Sequence, residues 1–375
     1  MRVRDMANVA TSEPSARYIV HKVATSGRQV QRRRQRGWQP IAVTAVAVLG
    51  LVAAAALPSL LGRALLPFIN GPLAQEDAAV PGPPFTFTFA GYQVGKLQVA
   101  DPIIVSTAYQ IASVYADGMT TNDGPVSVEE LESLQDSSEQ DPTWYAYLTV
   151  YRPGAYDPTS LVGAGSVTVA DRPGLEINSS GGAWAATRTL AWEYAGNAWA
   201  VINASSSEAD YPSAEELREL AAGWRPAPPT PAKVPFTMAY VPAGYSLDEV
   251  AMHAMTGLNG IANARTGDHA GLLFSSPAQP TTGLTAPFGG VDGYAPPGSF
   301  RVYVGPAANS NQQASPGVTC DEEVCNRWVA GDSVNVQVSS GGRLSDAEMT
   351  KILDGISIGD VSDEGSWAEV GTAIP

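Results

Sequence analysis

From Gly37 to Gly62 the chain runs 26 residues without a charge, bounded by Arg36 and Arg63. Its core, Ile41 to Leu61, is 21 residues and as a helix would measure about 30 Å, the thickness of a bilayer's hydrocarbon. Pro58 falls in the last turn, where a kink costs least. A soluble helix this long is seldom apolar on every side, so the run predicts a transmembrane helix over 39–62. Arg32, Arg33, Arg34 and Arg36 crowd its N-terminal flank and few basic residues follow. By the positive-inside rule they are a topology signal that puts the N-terminus in the cytoplasm and the bulk outside. The same arginines admit a twin-arginine-like reading, with the run a cleaved export signal. Against it, the run exceeds the usual apolar core, and small-residue cleavage sites near Ala56 or Ala74 are poorly formed.

Charge divides at the same place. Residues 1–40 hold nine Lys/Arg against Asp5 and Glu13, a net of +7, whereas the remaining residues hold 13 against 35, a net of −22. The large segment therefore repels nucleic acid. Segment 1–38 has no sustained apolar periodicity and no Cys. It reads as a disordered basic cytoplasmic tail beside anionic headgroups, and 39–62 as the part that meets membrane lipid.

Beyond the anchor, 63–84 reads as an extended tether, Pro-rich from Leu73. A second Pro-rich stretch, 226–235, reads as a linker between domains, because it continues neither a helix nor a central strand. The segments after each, 85–225 and 236–358, resemble copies. Phe85-Thr86-Phe87-Thr88-Phe89 leads to Ala90-Gly91-Tyr92, and Phe236-Thr237-Met238-Ala239-Tyr240 leads to Ala243-Gly244-Tyr245. Leu190–Asn203 and Asn326–Val338 each read as a strand containing Ala-Gly. Each copy ends in a short helix, Ser213–Trp224 or Ser345–Ile356, and residues 359–375 form a C-terminal tail. Ser213 with Glu216, and Ser345 with Glu348, are S-x-x-E capping boxes. Leu217, Leu220 and Ala221 make an apolar stripe matched by Met349, Ile352 and Leu353, and Gly223 and Gly355 are the stops.

Between these landmarks, Trp144–Tyr151, Ser166–Ala170, Phe300–Val304 and Ser333–Val338 alternate with period two, as antiparallel strands with one wet face do. Asp248–Met255 and Ser127–Leu134 read as further helical pieces. The expected class is α+β: an N-terminal transmembrane helix, then two duplicated antiparallel-sheet domains, each closed by a C-terminal helix.

The strand LAWEYAGNAWAV followed by the capped S-x-E-E-L-x-x-L-A helix resembles extracellular domains of actinobacterial single-pass membrane proteins. Similar modules are appended to anti-sigma-factor-like regulators. The resemblance covers 140–225 best and the second copy more weakly. Its motifs are structural, so it implies no catalytic residue. The zinc-binding cytoplasmic domain of true anti-sigma factors has no counterpart, since 1–38 offers only His21.

Cys320 and Cys325 lie on the outer side, where disulfides persist, and their spacing suits a small covalent loop. Zinc would need further thiols or clustered histidines, and neither is near in sequence; no metal or cofactor is expected. Gly355-Ile356-Ser357-Ile358-Gly359 matches G-x-S-x-G, but a helix precedes it and no His follows. His253 and His269 read as solvated surface residues. The acidic runs Asp321 to Glu323 and Asp360 to Glu364 lack the alternating spacing of a calcium loop. The tryptophans, with Trp192 and Trp328 matched, read mainly as core and otherwise as a sugar or lipid platform. No catalytic residues emerge. Two functions remain: a non-enzymatic membrane-anchored envelope protein that binds or senses a protein or cell-wall ligand, or a lipid- or lipoprotein-handling protein with an apolar cavity under the sheet.

Overall fold

The computed structural model describes residues 83–116, 144–181, 184–206, 211–262, 264, 267–289, 295–310, 312–321, 323–331 and 333–375. The tail 1–38, the expected anchor 39–62, most of the tether and the helical piece at Ser127–Leu134 lie outside them.

The first half contains β1 (Thr86–Phe87), β2 (Tyr92–Val94), β3 (Leu97–Val99), β4 (Ile104–Ser106) and β5 (Tyr109–Ala116). It continues with β6 (Trp144–Tyr151), β7 (Gly165–Val169), β8 (Arg172–Gly181), β9 (Trp184–Ala195), β10 (Ala198–Ser206) and helix α1 (Ala214–Gly223). The second half opens with β11 (Thr230–Pro231), β12 (Lys233–Val234), β13 (Phe236–Met238), β14 (Ser246–Met252) and helix α2 (Leu258–Ala262). There follow β15 (Ala270–Ser275), β16 (Ser299–Pro306), β17 (Val318–Asp321), β18 (Val324–Val329) and β19 (Val334–Ser339). Helix α3 (Asp346–Asp354), β20 (Ile356–Ile358), β21 (Ala368–Glu369) and α4 (Val370–Ala373) complete it.

Fifteen strands make one antiparallel sheet with the order β17-β18-β19-β16-β15-β14-β4-β5-β6-β10-β9-β8-β7, and β2 and β3 attach beside β5. Outward from the centre, β4-β5-β6-β10-β9-β8 and β14-β15-β16-β19-β18-β17 run in the same pattern, and β7 is extra. The two halves meet where β4 pairs with β14, Ile104 facing Ala251, Val105 facing Val250 and Ser106 facing Glu249.

Alternation explains three cores, because successive side chains of a strand point to opposite faces. On one face Leu148, Ala200 and Ile202 meet Leu217 and Leu220 of α1, while Leu272, Phe300 and Val336 meet Met349, Ile352 and Leu353 of α3. On the other face, at the centre, Tyr109, Ile111, Tyr151 and Leu273 pack with Ile261, Leu284 and Phe288. Leu217, Leu220, Ile352 and Leu353 are fully buried. The helix stripes do what their spacing requires: burying one such side chain is worth about 1.5–3 kcal/mol.

The expected class is overturned. The described body is mostly antiparallel sheet rather than α+β, and its two halves share one sheet rather than forming separate domains. Among the described residues no helix is long and apolar enough to cross a membrane. The Pro-rich segment 226–235 is no free linker: β11 pairs with β1 and β12 with β21, and Ala232 and Val234 are fully buried. Thus Phe87 of the first half packs in the second half's core. The tail after 358 is built in as well, with Trp367, Val370 and Ala373 buried. Leu190–Asn203 and Asn326–Val338 are hairpins, not single strands. In the first, Asn197 takes φ 56° at the reversal, a left-handed conformation that Asn tolerates better than most residues. Asp248–Met255, expected as helix, falls instead on strand β14 (Ser246–Met252) and the turn after it.

Candidate functional site

A cluster of buried ionisable groups with shifted pKa values lies at the seam between the halves. A bulge between Leu247 and Glu249 interrupts the β14–β15 register and turns two consecutive acids inward, Asp248 and Glu249 being 1% and 0% exposed. Such re-aiming is what a bulge does. The Glu249 carboxylate accepts the Tyr109 hydroxyl from β5 and the Gly257 N–H at 2.6 Å. The Tyr109 oxygen in turn accepts the Phe288 N–H at 2.8 Å. One carboxyl thereby ties the first half to two loops of the second. Burial raises its pKa to about 7, against the pull of those hydrogen bonds and of the Arg301 charge. Burial likewise pushes the Tyr109 hydroxyl up and lowers the Arg301 guanidinium. Asp248 is also shifted up by burial and accepts the Gln279 N–H at 3.2 Å.

The two histidines are neighbours, not solvated singletons. The His253 N–H donates to the His269 carbonyl at 3.0 Å. Its ring lies 5.3 Å from Trp367, and its Nε2 is 3.1 Å from a Glu364 oxygen. Burial lowers His269 to about 4, so it is neutral near pH 7. Asp268 is 2% exposed and accepts from the Tyr303 hydroxyl and, at 2.7 Å, from Asn309 Nδ2. That arrangement satisfies buried polar atoms.

Cys320 and Cys325 form a disulfide across the β17–β18 hairpin, directly opposite one another with Cα atoms 4.0 Å apart. Ser213 and Glu216 close a reciprocal capping box, and Glu216 also meets Lys96 Nζ at 2.9 Å. Ser345 caps α3 through the Glu348 N–H at 3.3 Å, but the Glu348 carboxylate accepts the Tyr240 hydroxyl at 2.7 Å instead. Ser357 sits in strand β20, paired with Thr237. The topology arginines 32–34 and 36 lie outside the described residues. Trp192, Trp224, Trp328 and Trp367 are buried.

An open edge lies at the far end of the first half. Among the described residues β7 pairs only with β8, and Gly165, Ser166 and Thr168 are exposed. Beside it a cleft of about 290 Å³ is lined by Ser166, Val167, Gly174 and Leu175 on the sheet, Pro158 and Thr159 on the flanking turn, and the half-buried Trp199. Leu175 lies level with Ala191 and Val201, which places the cleft at the margin of the central outer core. Sequence reading missed both the seam and this edge. The acids of SLDEVAM carry no periodic signal once a bulge turns both inward, and an edge is a property of strand order.

No family model and no curated protein matches the chain. Among solved structures, MucB in complex with MucA(peri) is weakly similar, at 13% identity and a TM-score of 0.19, covering 74% of this chain and 93% of that one. The Pseudomonas aeruginosa MucA/MucB complex matches at the same identity and coverage with a TM-score of 0.20. Similarity at this level establishes neither a shared fold nor a shared partner.

Proposed function

We propose that this chain is a non-enzymatic envelope protein, held at the cell membrane by its apolar N-terminal run, whose extracellular body binds or senses a protein or cell-wall ligand. One observation carries the reading: Glu249, the carboxyl raised furthest by burial, is sealed at the seam with no exposure and holds strands together, while the β7 edge with its apolar cleft is accessible. A buried group that binds only its own fold serves rigidity rather than turnover. The outer side suits the disulfide, which persists in oxidising surroundings.

The test is photo-crosslinking in living cells, with a photoreactive residue placed at exposed Ser166, Thr230 or Thr372 of the full chain. A protein or glycan adduct at any of the three is the expected result. Adducts to acyl lipid alone, or none at any position, overturn it, the former in favour of lipid handling.

A further inference from the structure

We infer that β7 is a docking strand for an extended segment of a protein partner, one that alternates β-branched residues and is flanked by lysine or arginine. This rests on the binding reading above and deepens it. The two ends of the sheet differ. At β17 the edge carries Asp321 and is pinned to β18 by the Cys320–Cys325 disulfide. The β7 sequence, Gly-Ser-Val-Thr-Val, has none of the charges or prolines that natural edges use to refuse pairing. Its inner side is held in register, since Val167 and Val169 pack into the core under α1. Among the described residues no strand pairs with its outer backbone, and main-chain pairing with pockets for alternate side chains is how sheet edges take peptides. The cleft supplies such a pocket, with Trp199 and Leu175 as its apolar surfaces.

Charge selects the occupant. Asp157 adjoins the flanking turn, Asp171 ends the β7–β8 turn, Glu176 faces Gly165 and Glu193 faces Trp199. Arg172 and Arg218 oppose them, the latter 3.4 Å from Glu176. Four acids against two arginines, on a body of strongly negative charge, favour a basic flank and disfavour a second copy of this chain.

The test uses the full chain in detergent and a labelled heptapeptide, Lys-Val-Thr-Val-Thr-Val-Lys, with versions carrying glutamate flanks or a central proline. The basic alternating peptide is expected to bind, to weaken at least tenfold with either change, and to weaken with salt. Ser166→Lys should reduce binding at least tenfold while Thr372→Lys leaves it unchanged. Amide exchange across 165–169 should slow on binding in the unmutated chain, which separates a lost site from a misfolded variant. No binding by the basic peptide, equal binding by the glutamate version, or unchanged exchange at β7 overturns the proposal. So does a Ser166 crosslink in cells to a second copy. A cellular adduct at Thr372 with none at Ser166 overturns this site while leaving the binding reading standing.

Discussion

Replacing Glu249 by glutamine should remove a specific pH dependence from the fold. The carboxyl is held at about 7 instead of 4.5, chiefly by burial. The folded state therefore binds its proton more tightly than the unfolded chain does. That stabilising contribution is complete below pH 4.5 and is lost as pH rises through 7. Each tenfold in proton affinity is worth about 1.36 kcal/mol, so the group should make the wild type roughly 2–3 kcal/mol less stable at pH 8 than at pH 5. Glu249→Gln keeps the shape but offers one acceptor oxygen to two donors, Tyr109 O–H and Gly257 N–H, and so carries a pH-independent cost of about 1–3 kcal/mol. The quantity to read is thus the difference in slope, by urea unfolding at pH 5, 6, 7 and 8 at fixed ionic strength. His269 and the other titrating groups are common to both proteins and cancel. Parallel stability curves for the two would refute the reasoning.

Other outcomes follow from the same geometry. Cys320→Ser with Cys325→Ser should cost about 2 kcal/mol by the chain-entropy rule for so short a loop, read as a lower thermal midpoint that reductant no longer changes. Leu220→Ala should cost about 2–5 kcal/mol, since the side chain is fully buried beneath the sheet, and denaturant titration measures it. Hydrogen bonding to the Ser213 N–H and then to Lys96 holds Glu216 down at about 2. The stability it contributes is present above pH 4.5 and is lost as pH falls toward 2, so Glu216→Gln should flatten the acid limb of the unfolding curve.

Local structure was legible in the sequence and long-range structure was not. The strand Trp144–Tyr151 and the stripes of α1 and α3 follow from spacing, because alternation and the 3.6-residue turn are local rules. The cap at Ser345 was readable, yet its Glu348 is drawn away by Tyr240, 108 positions earlier, a competition no local pattern encodes. The proline run 226–235 reads as a linker because proline gives up a hydrogen bond. Here Ala232 N–H still reaches the Phe85 carbonyl at 2.9 Å, so alternate residues without that handicap suffice to dock it. Likewise, nothing in Asp248-Glu249 marks a seam, since its character depends on which strand arrives beside it.

The threading of β1, β11, β12 and β21 bears on how the chain matures as it is synthesised. Phe87 cannot find its final place until residues some 140 positions later have emerged, and the Ala232 carbonyl receives its Val370 N–H, at 3.0 Å, only from the last turn of the chain. The first half's own core, from Phe89 to Trp224, needs none of these partners, but the threading of β1 against β11 and of β12 against β21 closes only once the second half has been made. Contacts of such long sequence separation slow folding, so a chain released before residue 368 would leave Ala232 and Val234 without the β21 strand that covers them.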